Sequence, residues 1–284
     1  MFNKPYKVRT KSSELLLLES LSNRMTLAEK DQQHYLNLKK GYEGEVMFDS
    51  LTEKLNCECL ILNDLLFQLN NTTFQIDTLI IISDSVYLYE VKNFDGDYYF
   101  DSNRFYKKPK YEYTNPLQQL ERTESLLRQL FNSLGYKFNI EGLVIFINPE
   151  FSLFQAPLNK PFILPTQLRR YLAKLETNSA KVNGTHRILA DKLISLHIEK
   201  SPYTQVPFYE YEKLKKGVTC AKCNSFSLIV ERRSCACIDC GNVEKVTNAI
   251  LRSVEEFKYL FPSRKITTNS IYEWCVRGLF QKSG

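Results

Sequence analysis

The chain has 284 residues, 43% hydrophobic and 25% charged, a composition that suits a sizeable core with a satellite module and excludes a disordered or fibrous protein. Its formal net charge of +6 is a mild excess that suits a nucleic-acid partner without requiring one. No stretch approaches the roughly 18 to 20 apolar residues of a membrane helix, the Leu15 to Leu18 run is flanked by Glu14 and Glu19, and no apolar segment leads to a small-residue cleavage site, so a cytoplasmic protein is expected.

In chain order, residues 1–40 are predicted to be a helical extension, because Leu15, Leu18, Leu21 and Met25, then Leu27, Tyr35 and Leu38, recur at roughly helical spacing. A domain is expected over 41–150. Its first helix starts after Gly41, carries Val46, Phe48, Leu51 and Leu55, and ends near Asn56. Three strand-like runs follow, Cys59 to Phe67, Thr73 to Ile82 and Ser85 to Val91. A loop-rich, tyrosine-dense stretch runs from Phe94 to Thr114, Asn115-Pro116 opens a helix that ends near Gly135, and Gly142 to Ile147 is a buried strand. Helix, three strands, helix and strand predict an α/β fold, a mixed sheet flanked by helices whose first strands are antiparallel. Residues 151–216 are expected to be a helical extension of unassigned role with helices near Pro165 to Thr177 and Ile188 to Leu196. The segment 217–245 is a separate cysteine module, and 246–284 is helical in two pieces around Pro262.

Chemistry concentrates at Asp77, Glu90 and Lys92. Glu90 and Lys92 are two apart and share a strand face. If Ser83-Asp84 is a two-residue turn, Ile82 pairs with Ser85, and continuing that register places Asp77 opposite Glu90. Two facing carboxylates repel, and a divalent cation resolves the conflict: oxygen ligands suit Mg²⁺ or Mn²⁺, with Lys92 beside them to serve a nucleophilic water. The alternative is a surface ion cluster at a strand end.

These residues stand within an ordered set: Gly-Tyr-Glu-Gly-Glu at 41–45, Gln-Ile-Asp at 75–77, Tyr-Glu-Val-Lys-Asn at 89–93 and Asn-Pro-Leu-Gln-Gln at 115–119. The set resembles the nuclease-related domain family (NERD) of the PD-(D/E)XK nuclease superfamily over roughly residues 41–148. The resemblance implies a restriction-endonuclease-like core and metal-dependent phosphodiester cleavage. Asp77 and Glu90 would be metal ligands and Lys92 the catalytic lysine, with Glu45 and Gln119 supporting them. The aromatic run Asp97-Tyr98-Tyr99-Phe100 departs from the family pattern.

Between Tyr98 and Tyr113, aromatic residues interleave with Arg104, Lys107, Lys108 and Lys110, a mixture suited to unpaired bases and backbone phosphates; a twisted hairpin with solvated lysines is the plainer alternative. Of eight cysteines, five lie between 220 and 240. Cys220-x-x-Cys223 and Cys237-x-x-Cys240 have the spacing of a zinc ribbon, a closed structural site; Cys235 competes with Cys237 for the third position and is assigned as a spectator. Cys57 and Cys59 are expected to be core thiols, and His34, His186 and His197 have no partner pattern. The segment Ile266 to Cys275 is either the start of a small helix-turn-helix or a packing helix with Trp274 in its core.

Together these features predict a metal-dependent nuclease acting on DNA, with a zinc ribbon for targeting or stability. The rivals are a catalytically inactive nucleic-acid- or partner-binding protein on the same fold, and a component whose activity needs another chain.

Overall fold

The computed structural model describes residues 4–177 and 181–276. The chain divides into two compact units, one made of residues 1–10 and 39–201, the other of 11–38 and 202–284. The expected N-terminal extension is therefore split between them. The last eight residues of the expected C-terminal helical segment lie outside the described residues.

The first unit carries a mixed five-stranded sheet in the order β1 (Leu60–Leu69), β2 (Thr72–Ile82), β3 (Ser85–Lys92), β7 (Asn139–Phe146) and β9 (Phe162–Ile163). The first three strands are antiparallel and β3, β7 and β9 run parallel, as the element order predicts for the early strands. Tight turns fix the register. Asn70 and Asn71 both take positive φ between β1 and β2, and Ser83 does so before Asp84, where the second hairpin closes on Ile82 and Ser85.

Apolar side chains cover both sheet faces. Leu79, Ile81, Val86 and Leu88 pack with Leu120 and Leu127 of α3 (Pro116–Ser133) and with Leu189 and Leu193 of α5 (Gly184–Leu196). On the other side Ile80, Ile82, Tyr89 and Ile145 pack with Phe48 of α2 (Glu29–Thr52) and Leu168 and Leu172 of α4 (Pro165–Thr177). Residues 151–201 thus contribute two strands as well as two helices to this unit.

Two expectations are corrected. Gly41 does not start a helix; α2 runs unbroken from Glu29 through Gly41 and Gly44. A helical glycine costs only about 1 kcal/mol, which the packing of Phe48 and Leu51 outweighs. The tyrosine-dense stretch is not a loop. It forms β4 (Gly96–Asp101), β5 (Arg104–Lys107) and β6 (Tyr111–Tyr113), which with β8 (Phe151–Phe154) make a second sheet ordered β6-β5-β4-β8.

The second unit holds α1 (Ser13–Arg24), the small sheet β10 (Leu228–Glu231), β11 (Ser234–Cys237) and β12 (Val243–Lys245), and the helices α6 (Val246–Leu260) and α7 (Thr268–Val276). Its core closes on Trp274, fully buried among Tyr211, Phe257 and Phe261, so α7 is a packing helix. Arg24, buried under the same indole, pairs with Glu256 and donates to the carbonyls of Lys215 and Gly217. No described helix is long and apolar enough to cross a membrane.

Candidate active site and cysteine cluster

The β2–β3 register runs from Ile82↔Ser85 to Thr78↔Tyr89, so Asp77 and Glu90 form the next couple, just past the last paired residues. There the Asp77 carboxylate, through Oδ2, accepts the Val91 N–H at 2.8 Å. Lys92 Nζ lies 2.7 Å from Glu90 Oε1 and donates to Gln119 Oε1 at 2.9 Å. Gln119 is held in the first turn of α3, where Asn115 caps the helix by accepting the Leu117 N–H and Pro116 occupies the first position. Asp77, Glu90, Lys92 and Gln119 thus meet from three elements.

Glu45 arrives on α2 because Gly44 permits a close crossing. A Cβ on Gly44 would stand 2.4 Å from Asn93 Cβ, so only glycine lets the helix approach the end of β3 so closely. Asn93 secures the junction, donating to the Lys40 carbonyl at 2.8 Å and accepting from Asn148 at 2.9 Å.

One functional-site neighbour escaped sequence reasoning. Arg9, 7% exposed, spends its guanidinium on Asp49 (2.8 and 3.0 Å), Glu45 Oε2 (2.5 Å), the Asp77 carbonyl (2.7 Å) and Thr78 Oγ1 (3.1 Å). It is delivered by an extended segment on the edge of β1, where Lys7 bridges Leu62 and Asn63 N–H donates to the Lys7 carbonyl. The alternation Tyr6, Lys7, Val8, Arg9, with Val8 outward and Arg9 inward, was the available signal.

Carboxylates outnumber cations here, since Arg9 and Lys92 face Glu45, Asp49, Asp77 and Glu90. Burial and then the Asp77 charge push the Glu45 carboxyl up to about 8 and that of Glu90 up to about 7. Burial also raises Asp77, against the pull of Lys92 and the Val91 N–H. Burial alone would lower the Lys92 ammonium, but Glu90 and Asp77 more than offset that and hold it raised. A buried, oxygen-only donor set with unbalanced negative charge fits a hard divalent cation.

Among the described residues, the four Sγ atoms of Cys220, Cys223, Cys237 and Cys240 lie within 4.8 Å of one another. Sγ separations of 3.6 Å for Cys220 to Cys240 and 3.5 Å for Cys223 to Cys237 approach the roughly 3.8 Å edge of a tetrahedron with 2.3 Å zinc–sulfur bonds. Cys235 is outside the cluster, its thiol donating to the Glu244 carbonyl. The cluster can hold zinc, and Cys237 rather than Cys235 belongs to it.

The basic residues of the aromatic segment stand at the surface near carboxylates: Arg104 is 3.6 Å from Glu112, Lys107 3.7 Å from Asp95 and Lys108 3.8 Å from Asp97, while Lys110 is exposed. Tyr98 and Phe105 stack inward, and Tyr99 stacks on Tyr106 at 5.2 Å. The histidines serve the fold: His186 completes a helix cap with Asn183, His197 accepts the Leu66 N–H, and His34 contacts Glu14.

Gly44, the Asp77–Glu90 register and Gln119 all fall in one continuous stretch. Residues 40–147 match the family model of the nuclease-related domain (NERD). Comparisons with curated proteins and with solved structures return no match. The matched stretch runs from the middle of α2 to the end of β7, and the match points to a nuclease-related function. Arg9 lies outside the matched stretch.

Proposed function

We propose that the chain is a metal-dependent nuclease that hydrolyses phosphodiester bonds of nucleic acid, DNA in the first instance. The observation that carries this is the meeting of Asp77, Glu90 and Lys92 past the last pair of the β2–β3 ladder, inside a nuclease-related domain. Asp77 and Glu90 would hold Mg²⁺ or Mn²⁺, with Glu45 completing the acidic site directly or through water. Such an ion, when bound, lowers the pKa of a coordinated water and offsets charge on a phosphoryl oxygen.

The chain's own residues do the rest. Two of the three Lys92 ammonium protons are engaged, by Glu90 and Gln119, and the third remains to orient a water or to meet a phosphoryl oxygen. Gln119 keeps that ammonium aimed. The attacking water forms the new P–O bond, its proton passes to solvent or a site carboxylate, and the leaving sugar oxygen takes the electron pair of the broken bond and then a proton from solvent. Arg104, Lys107, Lys108 and Lys110 would lie along the path of the nucleic acid. The four cysteines would hold a structural zinc, since four thiolates leave no open position for chemistry.

The test is cleavage of plasmid, single-stranded DNA and RNA by the purified full chain with Mg²⁺ or Mn²⁺. Cutting should stop with chelator and fall at least about a hundredfold in Asp77→Ala and Lys92→Ala, the scale expected when a group acting on transition-state charge is removed. No cutting of any substrate by folded, zinc-loaded protein would move the assignment to a binding protein on the same fold.

A further inference from the structure

We infer that Arg9 is a positioning residue for the carboxylate site, acting through Glu45. The inference rests on the proposed metal-dependent function and deepens it.

Arg9 joins two elements that must stay in register for the site to exist. Its Nε and Nη2 clamp both oxygens of Asp49 on α2, Nη1 takes Glu45 one turn earlier, and Nη2 reaches the main chain of Asp77 and the hydroxyl of Thr78 on β2. Asp49 and Glu45 are four apart and so share a helix face, which is why one planar fork can serve both. Asp77 is gripped by its carbonyl, so Arg9 fixes its backbone without occupying its carboxylate. Glu45 is gripped by Oε2, and no bond from Arg9 goes to Oε1.

The charge is also placed with purpose. A guanidinium stays protonated at any pH the protein meets, so Arg9 supplies a permanent positive charge inside a group of carboxylates that otherwise repel. Lys92 is the second cation, and its third proton is free to engage substrate; Arg9, 2% exposed at its side chain and bonded through all three nitrogens, faces the interior. The two cations therefore divide the work, one facing the reacting groups and one facing their support. Groups that orient ligands from behind typically cost 10- to 100-fold in metal affinity when altered.

The delivery route lies outside the stretch matched by the family model. Arg9 comes from the edge segment on β1, pinned by Tyr6 and Lys7 N–H donation to Ile61 and by Lys7 Nζ on the carbonyls of Asn63 and Asp64. This segment precedes the matched 40–147 stretch.

The experiment is Mn²⁺ titration of the zinc-loaded full chain by calorimetry, comparing wild type, Arg9→Lys and Arg9→Gln, each also combined with Glu45→Gln. Arg9→Lys keeps the charge and loses the fork, so it isolates geometry from electrostatics. Mn²⁺ binding should weaken about tenfold or more in Arg9→Lys, and this loss should shrink below about twofold on the Glu45→Gln background, the signature of action through that carboxylate. Unchanged Mn²⁺ affinity in folded Arg9→Lys overturns the inference, as does a loss undiminished by Glu45→Gln, which would mark a general effect on the fold. If Arg9→Gln does not fold, Arg9→Lys decides alone; if neither folds, Arg9 is a stability residue and the inference fails. A wild type that binds no Mn²⁺ while folded would overturn the functional proposal itself, and the inference with it.

Discussion

The carboxylate site and the cysteine cluster are built in opposite ways. All four cysteines come from 21 consecutive residues, on two tight knuckles flanking one hairpin. The carboxylate site draws on Arg9, Glu45 and Asp49, Asp77, Glu90 and Lys92, and Gln119, five separate stretches of the chain. The cluster therefore depends on local turns and on what it binds, whereas the carboxylate site depends on the packing of a whole sheet. Soft thiolates close their site completely; hard oxygens leave theirs open, which is where chemistry can happen.

The strongest way to break this contrast is to remove zinc. Chelation, or Cys220→Ser, should abolish metal content at the cluster and cost the ribbon on the order of 10 kcal/mol, so that amide exchange in β10 to β12 accelerates greatly while amides of β1 to β3 stay protected. Exchange that rises equally in both sheets would show that the sheet carrying the carboxylates also leans on the cluster. Metal analysis and hydrogen exchange read both outcomes.

A smaller effect separates two glycines of the same helix. Gly44→Ala should destabilise by about 1–3 kcal/mol, because the new Cβ would meet Asn93 Cβ at 2.4 Å and force α2 away from β3. Gly41→Ala meets nothing within 4 Å and should stabilise by up to about 1 kcal/mol through helix propensity. Equal responses in urea denaturation would show that the close crossing is not a constraint.

The pH dependence should distinguish oxygen from sulfur next. Glu90 at about 7 and Glu45 at about 8 are protonated below those values, so protons compete with a divalent ion. Mn²⁺ affinity should accordingly rise by at least about tenfold between pH 6 and pH 8 and level off only above about pH 9. A flat profile in that window would mean that these carboxyls are already ionised. The mildest effect belongs to the surface: Lys107→Glu with Lys108→Glu should weaken DNA binding several-fold and reduce the salt slope by about 2, and an unchanged slope would place the phosphates elsewhere.

What was legible in the sequence followed the same division. The four clustered cysteines could be named from spacing with Cys235 set aside, and the contact of the Cys235 thiol with the Glu244 carbonyl agrees with that choice. The Asp77–Glu90 couple was within reach because one turn, Ser83-Asp84, sets the register of every later pair. Glu45 and Gln119 came only through the family resemblance, since nothing local ties a helix residue to a strand thirty positions away. Arg9 was hidden because its partners are 36 to 69 residues distant and the leucine periodicity that follows it drew its segment into a helix. The start of α2 was misplaced because Gly41 was taken as a boundary, whereas it sits inside the helix with open space around it. The strands β8 and β9, four and two residues long, are too short to show a period.

The edge segment bearing Arg9 also bears on how this molecule tolerates being cut. A fragment starting at residue 40 would retain every motif residue of the nuclease-related domain and still lack the counter-ion of Glu45 and Asp49. Its sheet-bearing unit consists of two stretches of backbone separated by residues that fold elsewhere, so no single linear excision recovers it. A nick between residues 10 and 39 would leave the arginine held to Glu45 and Asp49 by non-covalent contacts alone. Restoring such a fragment would then be a matter of complementation in trans, with a short synthetic peptide spanning residues 4–10 supplying the missing strand edge.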